Sequence, residues 1–129
     1  MTREQRELVA EAVRVHKELR GSLARAQPFW PLGLPRWTDP WIALGLRTPE
    51  ASYLTVWRRG PFDGGSGSGP GDRPGITLPV PHLRGQRVTA DVIYPRSTGA
   101  GATWQAAASA LSVELPRFPS ACLIRLGAR

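Results

Sequence analysis

The chain has 129 residues, enough for one domain with a modest hydrophobic core. Hydrophobic residues make up 41% of the sequence, which excludes an intrinsically disordered chain. The 13 prolines and 14 glycines favour a turn-rich, mainly β fold. The N-terminal segment is charged and no apolar run is long enough to span a bilayer. We therefore expect a cytoplasmic protein with neither a secretory signal nor a membrane partner.

The net charge of +7 at pH 7 permits binding to nucleic acid or to another anionic surface. The basic residues are nearly all arginines, with Lys17 as the only lysine and Arg58-Arg59 as the only adjacent pair. Such scattered charges favour a solvated or partner-facing surface over a nucleic-acid-binding stripe. Nucleic acid is therefore an unlikely partner, and nucleic-acid binding is kept as the third of three functional hypotheses.

The first element is predicted to be a helix from Thr2 to Arg20. Thr2 can cap the N-terminus, and Gln5 completes a capping box three residues later. Gly21 is a natural residue for ending the helix. Apolar residues recur at helical spacing and predict one buried stripe. These residues are Leu8, Ala12, Val15 and Leu19.

A proline-rich connector follows at residues 22–38, and its tryptophans allow two interpretations. Trp30 and Trp37 lie among prolines that exclude a helix. They can pack between this domain and a neighbouring one, which is the interpretation we prefer for a rigid, aromatic segment. Alternatively, Trp30, Trp37 or Trp104 serves as a sugar-contacting aromatic platform.

The rest of the chain alternates with the period of β-strands. A buried strand is expected at Trp41–Leu46, and a central strand at Ser52–Arg58, where Arg58 and Arg59 mark the exit to solvent. Gly75–Pro79 carries a proline and is predicted to be an edge strand. Further strands are expected at Arg87–Tyr94, Thr103–Ala107, Leu111–Leu115 and Ala121–Leu126. The fold class is mainly β, an antiparallel β-sandwich preceded by one N-terminal α-helix.

Within the strand Arg87–Tyr94, one face is expected to be apolar. It carries Val88, Ala90, Val92 and Tyr94.

The glycine-rich segment at residues 60–74 separates two of these strands. It lacks the Lys-Ser/Thr ending of a phosphate-binding loop, and Pro70 and Pro74 block a following helix. We expect a flexible hairpin loop.

No catalytic residue is predicted. Catalysis by paired carboxylates needs two of them close together in space, and nothing in the sequence argues that any two pair. Two histidines and one cysteine give no metal-ligand spacing, so no metal or other cofactor is expected. Cys122 lies in an apolar run and should be buried. The carboxylates beyond the helix are Asp39, Glu50, Asp63, Asp72, Asp91 and Glu114.

Several segments together resemble the C-terminal part of bacterial α-galactosidases of glycoside hydrolase family 36. They are His16–Arg20, Pro28–Leu46, Tyr53–Arg59, Leu78–Gly85 and Ser120–Leu123. The resemblance implies that residues 1–27 are similar to the last helix and connector of a (β/α)8 barrel, and that residues 28–129 form the C-terminal β-sandwich.

In that family the catalytic aspartates lie in the barrel, and no position of this chain matches their motifs. The resemblance therefore implies a non-catalytic portion of an enzyme that hydrolyses terminal α-galactosides. Its partner would be the barrel of the parent enzyme, which it would stabilise, and it would meet an α-galactoside only through that barrel. A freestanding carbohydrate-binding module is the alternative hypothesis.

Overall fold

A computed structural model describes residues 1–60, 73–96 and 99–128, and residue 128 is described by its backbone alone. The predicted flexible loop at residues 60–74 lies mostly outside these ranges. Two short 3-10 turns, Pro81–Leu83 and Ala106–Ala108, accompany the regular elements. The regular elements are α1 (Arg3–Leu23), β1 (Gln27–Phe29), β2 (Trp41–Arg47), β3 (Ala51–Arg58), β4 (Gly75–Pro79), β5 (Val88–Tyr94), β6 (Gly101–Gln105), β7 (Ala110–Glu114) and β8 (Ser120–Ala128).

The helix begins as the sequence predicts but does not end there. Thr2 is the N-cap, and its side chain and that of Gln5 each accept a hydrogen bond from the other residue's backbone N–H. The prediction that Gly21 ends the helix is wrong, because α1 continues to Leu23. Leu23 lies four residues beyond Leu19 and extends the apolar stripe, which offsets the roughly 1 kcal/mol that glycine costs inside a helix.

The strands form two antiparallel sheets, which confirms the mainly β sandwich preceded by one helix. The larger sheet has the order β1-β2-β3-β8-β5 and the smaller one the order β4-β7-β6. Strand β3 is central and β4 lies at an edge, as the alternation and the prolines predict. Hydrophobic side chains from the inner faces of both sheets meet in one core. The fully buried residues include Leu54, Val56, Leu78, Leu111, Val113, Leu115, Ile124 and Leu126.

The apolar face predicted for β5 is interrupted by a bulge. Val92 pairs with Ile124 and Tyr94 pairs with Leu123, so the register shifts between Val92 and Tyr94. Neighbouring residues of a strand point to opposite faces. Tyr94 therefore lies on the outer face of the larger sheet rather than on the inner face with Val92, and that part of the prediction is wrong.

The displaced tyrosine ties the helix to the outer face. Its hydroxyl donates a hydrogen bond to the carbonyl of Leu8 at 3.1 Å, and the backbone N–H of Arg96 donates to a carboxylate oxygen of Glu11 at 2.9 Å. A helix of 21 residues is about 31 Å long. That length suffices to cross five strands about 4.8 Å apart. Helix α1 thus starts at the β5 edge and leads to β1 at the opposite edge.

Strand β1 lies in the segment predicted to be a connector without regular structure. Pro28 pairs with Leu46 and Phe29 pairs with Gly45. A side chain at Gly45 would collide with the ring of Phe29, so the glycine makes room for that ring at the core. The strand was missed because it is three residues long and contains a proline, which sheets accept at edge positions. The proposed division at residues 27 and 28 falls within β1 and stays a prediction.

The prediction that Arg58 marks an exit to solvent is also wrong. Arg58 is 4% exposed and its guanidinium donates a hydrogen bond to the carbonyl of Leu115 at 2.7 Å. The guanidinium carbon lies 5.8 Å from the ring centre of Trp41 and 4.9 Å from that of Phe118. Because Leu115 directly follows β7, this side chain links the two sheets.

Candidate functional site

Among the described residues, the most exposed aromatic side chain lies in the connector between β1 and β2. Trp37 is 93% exposed, Leu34 is 74% exposed and Trp30 is 39% exposed. Leu32 is also exposed, and Gly33 takes a positive φ of 79° that lets the chain turn sharply between the two leucines. We call the exposed apolar side chains of this segment, from Trp30 to Trp37, the connector surface.

The connector surface is held in place by Arg59 at the end of β3. Its guanidinium donates hydrogen bonds to the carbonyls of Arg36 at 3.0 Å and Trp37 at 3.1 Å, and to that of Asp39. The carboxylate of Asp39 accepts a hydrogen bond from the backbone N–H of Arg36 at 2.8 Å. Trp37 is therefore exposed on an ordered turn, which lowers the entropy lost when a partner covers it.

The three tryptophans singled out from the sequence do not come together. Trp30 follows β1, whereas Trp104 lies on β6, which packs beside β5. Strands β1 and β5 are the two opposite edges of the larger sheet. Trp104 is half-buried against the core, and its buried ring N–H has no hydrogen-bond partner among the described residues. Trp30 and Trp37 both belong to the connector between β1 and β2, and Trp104 lies apart from them.

The described carboxylates beyond the helix lie on four separate elements. Asp39 is in the connector, Glu50 is in the turn between β2 and β3, Asp91 is on β5 and Glu114 is on β7. Asp91 and Glu114 are exposed. Within the described ranges, no group of three or more histidine, cysteine or acidic residues could hold a metal ion.

Sequence reasoning missed a cleft at one end of the sandwich, which has a volume of about 460 Å³. Ser52 and His82 line this cleft, and a hydrogen bond 2.9 Å long joins Ser52 Oγ to His82 Nε2. Ser52 is 2% exposed, while the ring of Phe29 meets that of His82 edge-on at 5.0 Å between centroids. The one available signal was Ser52 itself, a polar residue on the strand face that otherwise carries Leu54 and Val56.

Arginines surround this pair. Arg25 and Arg47 line the cleft together with Glu50. Burial and the positive charge of Arg47 hold the pKa of His82 below its ordinary value, so the imidazole is neutral at pH 7. A neutral histidine bonded to a serine resembles a nucleophile and its base, but nucleophilic catalysis also needs an accessible oxygen. Because Ser52 is buried, its bond to His82 orients the imidazole instead.

Cys122 is buried, as expected from its apolar surroundings. Burial raises the pKa of its thiol to about 11, which keeps the thiolate scarce at neutral pH.

None of the helices within the described ranges is long and apolar enough to cross a membrane. Comparisons with protein-family models, with curated proteins and with solved structures found no match for this chain.

Proposed function

We propose that this chain is the non-catalytic C-terminal portion of an α-galactosidase, and that it stabilises the catalytic barrel of that enzyme. The observation that carries the proposal is the connector surface, where an ordered turn presents Trp37 and Leu34 to solvent. Exposed apolar side chains that cluster on a soluble protein often mark an interaction site. Because several segments resemble family 36 α-galactosidases, we propose that a (β/α)8 barrel covers this surface.

The connector surface can contribute part of the energy that holds two domains together. A tryptophan side chain buries about 150–250 Å², and each Å² of apolar surface contributes about 25 cal/mol. Covering Trp37 therefore contributes about 4–6 kcal/mol before the cost of association. Val9 and Val13 on the exposed side of α1 add further apolar area from a second element.

The distribution of carboxylates supports a non-catalytic role. Hydrolysis with retention requires a nucleophile and an acid on opposite sides of the anomeric carbon, about 5–5.5 Å apart. The described carboxylates beyond the helix lie on separate elements, and Asp91 and Glu114 are exposed. An exposed carboxylate is open to water, which weakens it as a catalytic nucleophile or acid. The chain on its own should therefore leave α-galactosides intact.

The proposal is tested by complementation. A family 36 α-galactosidase lacking its own C-terminal region is mixed with this chain, and the half-life of its activity on a nitrophenyl α-galactoside is measured during heating. We expect the wild-type chain to lengthen the half-life and Trp37→Ser to lose most of that effect. Trp104→Phe, on the other side of the sandwich, is the matched control and should protect as well as wild type.

Two results would contradict the proposal. One is turnover of the nitrophenyl substrate by the purified chain alone, abolished by substituting Asp39 or Asp91. The other is equal protection by the wild-type chain and the Trp37→Ser variant.

The freestanding carbohydrate-binding module remains the second candidate because Trp37 is so exposed. Tryptophan rings bind sugars by stacking on their apolar faces, and an exposed ring on an ordered turn fits that use. Titration with galactose and galacto-oligosaccharides should then change the tryptophan fluorescence of the wild-type chain but not that of Trp37→Ala. Saturable binding by this route, without any protection of the truncated enzyme, would favour the module over the enzyme portion.

A further inference from the structure

We propose that the cleft above Ser52 binds a small oxyanion, the carboxylate or phosphate group of a soluble ligand, through Arg25, Arg47 and His82. This inference rests on the cleft alone and holds whether or not the connector surface meets a catalytic barrel.

The strand register builds the cleft. Gln27 of β1 pairs with Arg47 of β2, and Arg47 pairs with Ser52 of β3. The inner face of the larger sheet thus carries a row of three polar residues at this end, whereas the next inward position on β3 is the fully buried Leu54. Arg25 reaches the same cleft from the segment between α1 and β1.

The cleft carries positive charge that the described residues leave unbalanced. Among them, neither Arg25 nor Arg47 has a carboxylate within 4.0 Å, and the only acidic residue lining the cleft is the exposed Glu50. Burial lowers the pKa of His82, and the positive charge of Arg47 lowers it further. A guanidinium presents a planar fork of donors that matches a carboxylate or a phosphate. A bound oxyanion would supply the counter-charge to both arginines.

The histidine is already oriented for a ligand. Ser52 Oγ is hydrogen-bonded to His82 Nε2, and the rings of Phe29 and His82 pack in a T-shaped contact that also restricts the imidazole. Nδ1 is therefore the ring nitrogen that remains for a ligand. Because the contacts come from the segment after α1, from β2 and from a 3-10 turn, an oxyanion bound here would also connect the end of α1 to the larger sheet and to the turn that follows β4.

The binding test uses sulfate and acetate as probes of the full chain, followed by calorimetry or by NMR chemical shifts. Sodium chloride at equal ionic strength controls for charge screening. We expect saturable binding, with sulfate tighter if the natural group is a phosphate and acetate tighter if it is a carboxylate. Losing a charge-assisted hydrogen bond should weaken binding about tenfold in Arg47→Gln and in Arg25→Gln.

The matched control is Arg14→Gln, which removes the same charge from an exposed position on α1. It should bind as wild type does. Arg25 lies outside the strands, so Arg25→Gln keeps the test valid even if Arg47→Gln fails to fold. Equal affinity of Arg25→Gln and wild type, or shifts that chloride reproduces, would overturn the proposal.

A pH series tests the histidine. The ionisable groups that line the cleft are Arg25, Arg47, Glu50 and His82 itself, and sulfate keeps its charge throughout. Protonated His82 adds a third positive charge, so sulfate affinity should rise as the pH falls towards the lowered pKa of His82. His82→Gln should lose this rise while keeping the affinity measured at pH 8. A wild-type affinity that does not change with pH would remove His82 from the site.

Discussion

Replacing Arg58 with methionine tests whether a buried guanidinium holds the two sheets together. The substitution removes the hydrogen bond to the carbonyl of Leu115 and leaves that carbonyl without this donor inside the sandwich. An unsatisfied buried polar group costs about 1–3 kcal/mol. Methionine keeps much of the apolar volume between the rings of Trp41 and Phe118, which limits the further loss.

We therefore expect the free energy of unfolding to fall by about 1–3 kcal/mol in Arg58→Met. Unfolding entropy is about 2.1 cal/mol/K per residue, so in a chain of 129 residues each kcal/mol shifts Tm by about 4 °C. The expected fall in Tm is about 4–11 °C, measured by calorimetry and by urea unfolding. Arg125→Met, at an exposed position on β8, is the control and should change stability by less than about 0.5 kcal/mol.

A variant at least as stable as wild type would refute this reasoning. It would mean that burying the guanidinium costs as much as its contacts contribute, as replacements of buried charges by apolar residues have shown elsewhere.

Three further outcomes are expected. The unfolding free energy should fall as the pH drops below about 6.5, because the pKa of His82 is higher in the unfolded chain and protonation therefore favours that state. In urea titrations, His82→Gln should lose this contribution to the pH dependence of the unfolding free energy. Cys122 should stay unreactive towards a thiol reagent at pH 8 in the folded chain and react fully in denaturant, and rapid native labelling would contradict its burial. Tyr94→Phe should speed amide exchange in α1 more than in β3, since it removes the hydrogen bond to Leu8; unchanged helix exchange would show that this bond is dispensable.

Local signals in the sequence determined much of the fold. The capping box of Thr2 and Gln5 involves residues three apart, so it could be recognised without tertiary structure. The alternation around Leu54 and Val56 likewise identifies a strand, because side chains on a pleated strand point alternately to opposite faces. The burial of Cys122 also followed from its neighbours. The mainly β class, the start of the helix and the central strand needed nothing more.

The tertiary structure decided the features that depend on distant partners. Arg58 is buried because a carbonyl 57 residues away and two rings surround it. Tyr94 changes face because the partner strand β8 accommodates a bulge. The cleft exists because Ser52 and His82, 30 residues apart, meet where the two sheets come together. Periodicity and spacing describe only residues that are close along the chain. The burial of a charge and the pairing of two polar groups depend instead on which strands become neighbours in space.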